Sequence, residues 1–278
     1  MREGEKAYSV DILPGPIPLR ELFRDVWRHR ELITVLASRD IRVRYKQTAL
    51  GVLWAIVRPA VATFVFTFVF GNVAGLPSGT IPYPLLALSG VLAWSLFSEG
   101  VSAGSQSMLV NPNLVTKVYF PRIIMPMSAT LRGLVDFAVA ATFYFALAWI
   151  YGMPPGWKVA FLPIAVLYAL FVSTGFTLWF SVLGVRYRDV AHALPFVLQA
   201  LFWISPVGYA IAAIPERWAV PYWCNPLTSV IAIFRVSLLN EPLPETPLFL
   251  LSVAVSIIVF TGGLSLFRRA ETRFADVI

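Results

Sequence analysis

VAFLPIAVLYALFVSTGFTLWFSVL, residues 159–183, runs for twenty-five residues without one charged side chain. A bilayer core is about 30 Å thick and takes roughly 20 apolar residues to cross as a helix. Five further stretches meet that requirement, at 50–70, 85–105, 123–151, 194–213 and 248–267. Backbone amides find no water in lipid, so each stretch must pair its amides internally as a helix. A transmembrane barrel would show short alternating strands instead of long apolar runs. A seventh apolar stretch, 226–239, is too short to cross and reads as re-entrant or interfacial. Pro59, Pro126, Pro163, Pro195 and Pro206 fall inside spans and imply kinks. The expected fold is an all-α integral membrane protein with six transmembrane helices.

Composition agrees. Of 278 residues, 58% are hydrophobic and 13% charged, against about 25% charged in a typical soluble domain. A soluble fold of this length cannot hide that much apolar surface. That excludes a soluble enzyme, a disordered chain and a nucleic-acid module. Cys224 is the only cysteine, so no intrachain disulfide or thiolate cluster is available. His29 and His192 stand far apart, so no metal site is expected. The first twenty residues lack the apolar run of a cleavable signal peptide.

The net charge of +7 is distributed by topology. Residues 1–46 hold ten Lys or Arg; Lys117, Arg122, Arg186, Arg188, Arg268, Arg269 and Arg273 fall on the same side of the six spans. The opposite loops carry Lys158, Arg217 and Arg235. By the positive-inside rule both termini are expected in the cytosol. Leu19, Leu22, Phe23, Val26, Ile33 and Leu36 recur near helical spacing, with Arg20, Glu21, Arg24, Asp25 and Arg28 opposite. That reads as an N-terminal amphipathic helix in the cytosolic interface, or as a helix packed on a partner protein.

Few residues offer chemistry. There is no G-x-x-x-x-G-K-[ST], so the chain has no P-loop for ATP phosphates. Within spans the acidic candidates are Glu99 and Asp136. Arg132 and Asp136 lie four apart on one face of the third span, about 14 Å into the core, and are expected to neutralise each other. The pair is read first as an interhelical brace, and otherwise as a polar point on a translocation path or proton relay. Arg42, Arg44, Lys46 and Arg58 gather at the cytosolic mouth of the first span. They are read first as anchors to anionic lipid, at about 1 kcal/mol each. The sharper reading is a site for a phosphate or pyrophosphate headgroup, which suits the guanidinium fork. Arg58 lies inside the span and needs a partner in either case.

Phe66 and Phe70 share a face of the first span; Phe202, Trp203 and Tyr209 belong to the fifth. Such rings line helix contacts or lipid, or else stack on sugars. A translocation path over Phe66, Phe70, Trp203 and Tyr209 is the expectation to test. Asn111 and Pro112 read as helix cap and first turn of a short cytosolic helix. On the far side IPERWAVPYWCNPL, 214–227, is rich in Pro and Trp, as an outer gate or interfacial cap would be.

Five blocks are similar to a known family: RYKQTALGVLWAIVRP at 44–59, NLVTKVYFPR at 113–122, GVRYRDV at 184–190, SPVGY at 205–209 and CNPLTSV at 224–230. In this order they resemble the permease subunit of bacterial ABC transporters that export polysaccharide and polyol phosphate. The resemblance implies a cytosolic segment at 1–46 with an interface helix, and an ABC-2-type transmembrane domain at 47–278. It implies a coupling helix at 111–120, with Asn111, Leu114, Lys117 and Tyr119 toward an ATPase. It also implies short outer gate helices at 214–239, with Trp218 and Trp223. The implied assembly is a homodimer with two ABC ATPase subunits in the bacterial cytoplasmic membrane. ATP and Mg would sit in the ATPase, leaving this chain without a cofactor, a metal or a nucleic-acid partner. The implied cargo is a polyprenyl-linked glycan, O-antigen first, capsule or teichoic acid as alternatives. A drug or small-lipid exporter and a membrane glycosyl- or acyltransferase are the rivals; the enzyme would need acidic or His groups gathered near a membrane face, and the sequence has no such constellation.

Overall fold

The computed structural model of the chain describes residues 19–46, 51–117, 120–244, 246–271 and Phe274. Among the described residues every regular element is helical. The chain opens with α1 (Leu19–Arg28) and α2 (Arg30–Tyr45), parted at His29, whose ring bonds the Asp25 carbonyl at 2.8 Å. The first span is α3 (Trp54–Phe66), entered through a 3-10 turn and continued by a π-helical stretch, Thr67–Val73. The second is α4 (Tyr83–Val110), followed by the short α5 (Pro112–Lys117). The third comprises α6 (Ile124–Thr130) and α7 (Gly133–Ile150); the fourth is α8 (Leu162–Arg186). Then come α9 (Asp189–Ile204), the pair α10 (Glu216–Trp223) and α11 (Pro226–Leu239), and finally α12 (Thr246–Ala270).

The bundle is built around α4. In its most apolar stretch 72% of residues are buried, against 22–28% in the other four long spans. Lipid provides no hydrophobic drive between helices, so small residues and interhelical hydrogen bonds hold them. Gly100 and Gly104 supply the small surface: a Cβ on Gly104 would stand 2.4 Å from the Thr177 methyl. Into that groove α8 lays Ser173, Thr177 and Ser181, one per turn, donating to the carbonyls of Phe97, Gly100 and Gly104 at 3.1, 3.4 and 3.2 Å. A second, smaller apolar cluster closes one end of the bundle. It joins Leu22 of α1, Leu36 of α2, Met108, Phe120, Ile124 and Phe267. This is the end that carries α1, α2, α5 and most of the basic residues, called the basic end below.

Two features differ from the sequence expectation, and a third adds to it. The third span is not one helix. At Leu131 and Arg132 the amides bond three residues back, to Ser128 and Ala129, both at 3.2 Å. Pro126 lacks an amide donor and Gly133 is a weak helix former, so the ladder changes register there. The fifth span, expected to reach residue 213, stops at Ile204. Ser205 precedes Pro206 and adopts extended geometry (φ −88°, ψ 147°), the conformation favoured before proline. Its 16 residues measure about 24 Å, short of a full bilayer core. Finally, Asn111, expected to begin α5, also closes α4: its side-chain amide donates back to the Ser107 carbonyl (3.0 Å).

The short apolar stretch at 226–239, expected to be re-entrant or interfacial, forms a bent helix pair with the segment before it. α10 and α11 meet at an angle of 100°. Asn225 makes the corner: its side-chain oxygen accepts from the Leu227 amide at 3.0 Å and Pro226 begins the helix.

Candidate functional site

Two polar features lie in the bundle, one at each end, with aromatic side chains between them.

At the basic end a cavity of about 320 Å³ opens between α2, α3, α4 and α7. Arg44, one residue from the end of α2, reaches into it. Its guanidinium holds Glu99 of α4 with both terminal nitrogens, at 2.8 and 2.9 Å, and Asp136 of α7 at 2.8 Å. The side chain is only 16% exposed. Arg58 of α3 touches Glu99 at 3.4 Å and is 64% exposed. Two cations and two carboxylates make the group neutral, which permits so many charges among apolar helices. Their roles differ. Arg44 spends its fork on its own chain, whereas Arg58 is loosely held and open. Arg42 and Lys46 lie exposed at the end of α2.

The expected Arg132–Asp136 pair is not formed. The register change at residues 131–132 takes Arg132 off the stripe of α7 that carries Asp136. Asp136 pairs with Arg44 instead, and Arg132 lines a second cavity of about 340 Å³ with Arg39, Asp40 and Asn111. Trp94 was not singled out from the sequence, yet it lines the first cavity with Ser95, Ser98 and Glu99. Spacings of one, four and five place these on one face of α4, a polar stripe that the sequence does display.

Beyond Trp94 the rings are continuous. Trp94 meets Phe202 at 5.2 Å, Phe202 meets Phe66 at 5.6 Å and Trp203 at 5.3 Å, and Phe66 stacks on Phe70 at 5.6 Å with planes 17° apart. Phe66 itself is 7% exposed, enclosed by Phe70, Phe202 and Gly208. It has no ring face left for a ligand within this chain, so it backs the aromatic wall. Phe70 is half-buried and Trp203 exposed.

At the opposite end the segment 205–208 is held carbonyl by carbonyl. Arg235, assigned from sequence to an outer loop, is fully buried in α11. It donates to Pro206 at 2.9 Å and Val207 at 3.4 Å. Tyr83 donates to Gly208 at 2.7 Å, and Asn225 to the Ser205 hydroxyl at 2.8 Å. Gly90 lets this loop approach: a Cβ there would fall 2.1 Å from the Val207 oxygen. The blocks SPVGY and CNPLTSV therefore meet. Tyr209 donates to Tyr222 at 3.1 Å. Trp218 is exposed, whereas Trp223 is buried against Phe249.

Of the residues expected to face an ATPase, Asn111 and Leu114 lie at the basic end, Leu114 half-buried on its apolar cluster. Lys117 ends α5, and Tyr119 lies outside the described residues.

Residues 31–239 match the family described as ABC-2 type transporter. Among characterised proteins the chain is similar to the O-antigen export system permease protein RfbA of Myxococcus xanthus, 27% identical over 92% of this chain and 99% of that one. RfbA of Klebsiella pneumoniae is 28% identical over 89% and 95%. The polysialic acid transport protein KpsM of Escherichia coli is 25% identical over 86% and 93%.

Proposed function

The chain belongs to the ABC-2 type transporter family, and from that premise we propose that it is the membrane subunit of an exporter that moves a polyprenyl-linked polysaccharide out of a bacterial cytoplasm. The chain forms a homodimer in the cytoplasmic membrane, with both termini inside, and two ATPase subunits bind its basic end. ATP and Mg are held by those subunits. O-antigen is the favoured cargo, because the RfbA relatives align over 89–92% of the chain at 27–28% identity, against 86% at 25% for KpsM.

The observation that carries the reading is the division of labour between Arg44 and Arg58. A lipid-linked glycan presents a phosphate at the inner leaflet and an uncharged or weakly charged sugar chain behind it. Arg58 offers an open guanidinium to that phosphate, with Arg42 and Lys46 beside it, while Arg44 is neutralised in place. Past the mouth, the described residues place no fixed ion pair on the path. A sliding polymer needs contacts that release it, and ring stacking is weak and tolerant of sugar identity. Phe70, Trp203 and Tyr209 form the contact face, backed by Phe66, Phe202 and Trp94. The apolar side of α3, its π-helical continuation and α9 that bears Phe64, Phe68 and Phe196 is exposed in one chain and is assigned to the second copy and to lipid.

The test is Arg58→Glu in cells whose own gene is deleted. Surface glycan should fall by about tenfold or more, equivalent to ~1.4 kcal/mol at the mouth, with membrane insertion and ATPase association retained. Wild-type export in this variant contradicts the assignment.

A further inference from the structure

Opposite ends of α12 carry polar joints to different parts of the molecule. At the basic end, Glu271 follows its last turn. The Glu271 carboxylate accepts from the Arg122 backbone amide at 2.8 Å, and its carbonyl accepts from the Arg122 guanidinium. Arg122 lies five residues beyond the end of α5. Three residues on from Glu271, Phe274 is buried and packs edge-on to Phe267 at 5.2 Å, within the apolar cluster that includes Phe120 and Ile123. Nineteen residues before Glu271, about 28 Å along a straight helix, the Ser252 hydroxyl lies within hydrogen-bond distance of the Asn225 carbonyl (3.0 Å) and the Ser229 hydroxyl (2.8 Å). Tyr168 of α8 joins Ser229 and Ser256, each at 2.8 Å. The upper joint thus lies at the corner between α10 and α11.

We propose that α12 forms a rigid connecting rod, and that Glu271 and Phe274 are the positioning residues that fasten its basic end to Arg122 and to the apolar cluster of Phe120 and Ile123. Movement of α5, whose Leu114 packs on that same cluster, is then carried to the α10–α11 corner without crossing the charged mouth. A helix of 25 residues with its side chains packed on α8 is stiff on this length scale. Glu271 and Phe274 supply the two things such a rod needs at the basic end: a polar bond for direction and a buried ring for grip. The consequence for transport rests on the reading that α5 receives an ATPase; the mechanical link does not.

The experiment is a pair of spin labels at Asn113 in α5 and Arg269 in α12, both exposed, in full-length chain carrying Cys224→Ser, in nanodiscs. The native tail should give one narrow distance distribution. Glu271→Ala with Phe274→Ala should broaden it by about twofold or more, while Glu271→Gln, which keeps the acceptor, should not. In cells with the ATPase, the double variant should keep ATP hydrolysis but lose about tenfold of glycan exported per ATP. An unchanged distribution in the double variant, or export per ATP at the native level, overturns the proposal. A narrow native distribution that broadens as expected in a chain to which no ATPase binds upholds the link and instead removes the transporter reading.

Discussion

Removing Arg44 should destabilise the protein, whereas removing Arg58 should impair transport and little else. Arg44→Ala deletes two charge-assisted hydrogen bonds to Glu99 and an ion pair to Asp136, all at 2.8–2.9 Å, and leaves both carboxylates facing one cavity. Breaking a buried ion pair at one partner costs about 3–5 kcal/mol. Here the three side chains keep 16–27% exposure. Water in the cavity then solvates part of the orphaned charge, so about 2–3 kcal/mol is the better figure. At this chain length that corresponds to a fall in Tm of roughly 5–10 °C. Arg44→Lys keeps the charge, loses the fork and should fall about midway. Arg58, at 3.4 Å and largely exposed, should cost about 0–1 kcal/mol. The assay is thermal unfolding of purified protein in one detergent, run beside glycan export in cells. If Arg44→Ala melts with the wild type, or Arg58→Ala melts well below it, the division of roles is wrong.

Other expectations follow from single contacts. Gly104→Leu must displace Thr177 or the Pro126 carbonyl and should cost at least about 1–3 kcal/mol in a melting assay; Gly184→Ala, whose Cβ meets nothing closer than 3.8 Å, should be nearly neutral. Arg235→Ala releases the carbonyls of Pro206 and Val207, so amide exchange at 207–210 should rise by about 10–100-fold; an unchanged rate would mean that other contacts hold the loop. Burial pushes the Glu271 carboxyl above its ordinary 4.5 in spite of the Arg122 amide. An acid raised in the folded state stabilises it below the unfolded pKa and loses that contribution as pH rises through the folded one. Wild type and Glu271→Gln should therefore melt alike near pH 4 and diverge toward pH 7, with Gln the more stable; a gap that widens on acidification contradicts this.

The spans were legible because lipid leaves the backbone no alternative: an uncharged run such as 159–183 can only be a helix. The short apolar stretch at 226–239 was legible from its length alone. What the sequence hid was register and partnership. Arg132 and Asp136 are four apart, and an unbroken helix would bring them together; the slip at residues 131–132 depends on packing against α4 and carries only a weak local signal in Pro126 and Gly133. The true partner of Asp136 lies in another helix, 92 positions away in the chain, a separation that no local spacing rule reaches. Arg235 was placed outside because the positive-inside count treats the connection between spans as solvent, whereas α11 packs inside the bundle and buries Arg235 completely. Phe66 was aligned correctly with Phe70, but which side of α3 meets α9 is settled only by tertiary packing.

The central claim is that this chain carries a lipid-linked glycan through the membrane under ATP. Its most direct test is uptake by inverted membrane vesicles that contain the chain and its ATPase, given polyprenyl-linked glycan with a labelled sugar chain. ATP should drive the label into a protected lumen. Arg58→Glu should lower the initial rate by about tenfold or more, and substitution of Phe70, Trp203 and Tyr209 by Ala should slow it further while ATP hydrolysis continues. Label that stays accessible in the presence of ATP, in vesicles whose ATPase is bound and active, would contradict the claim.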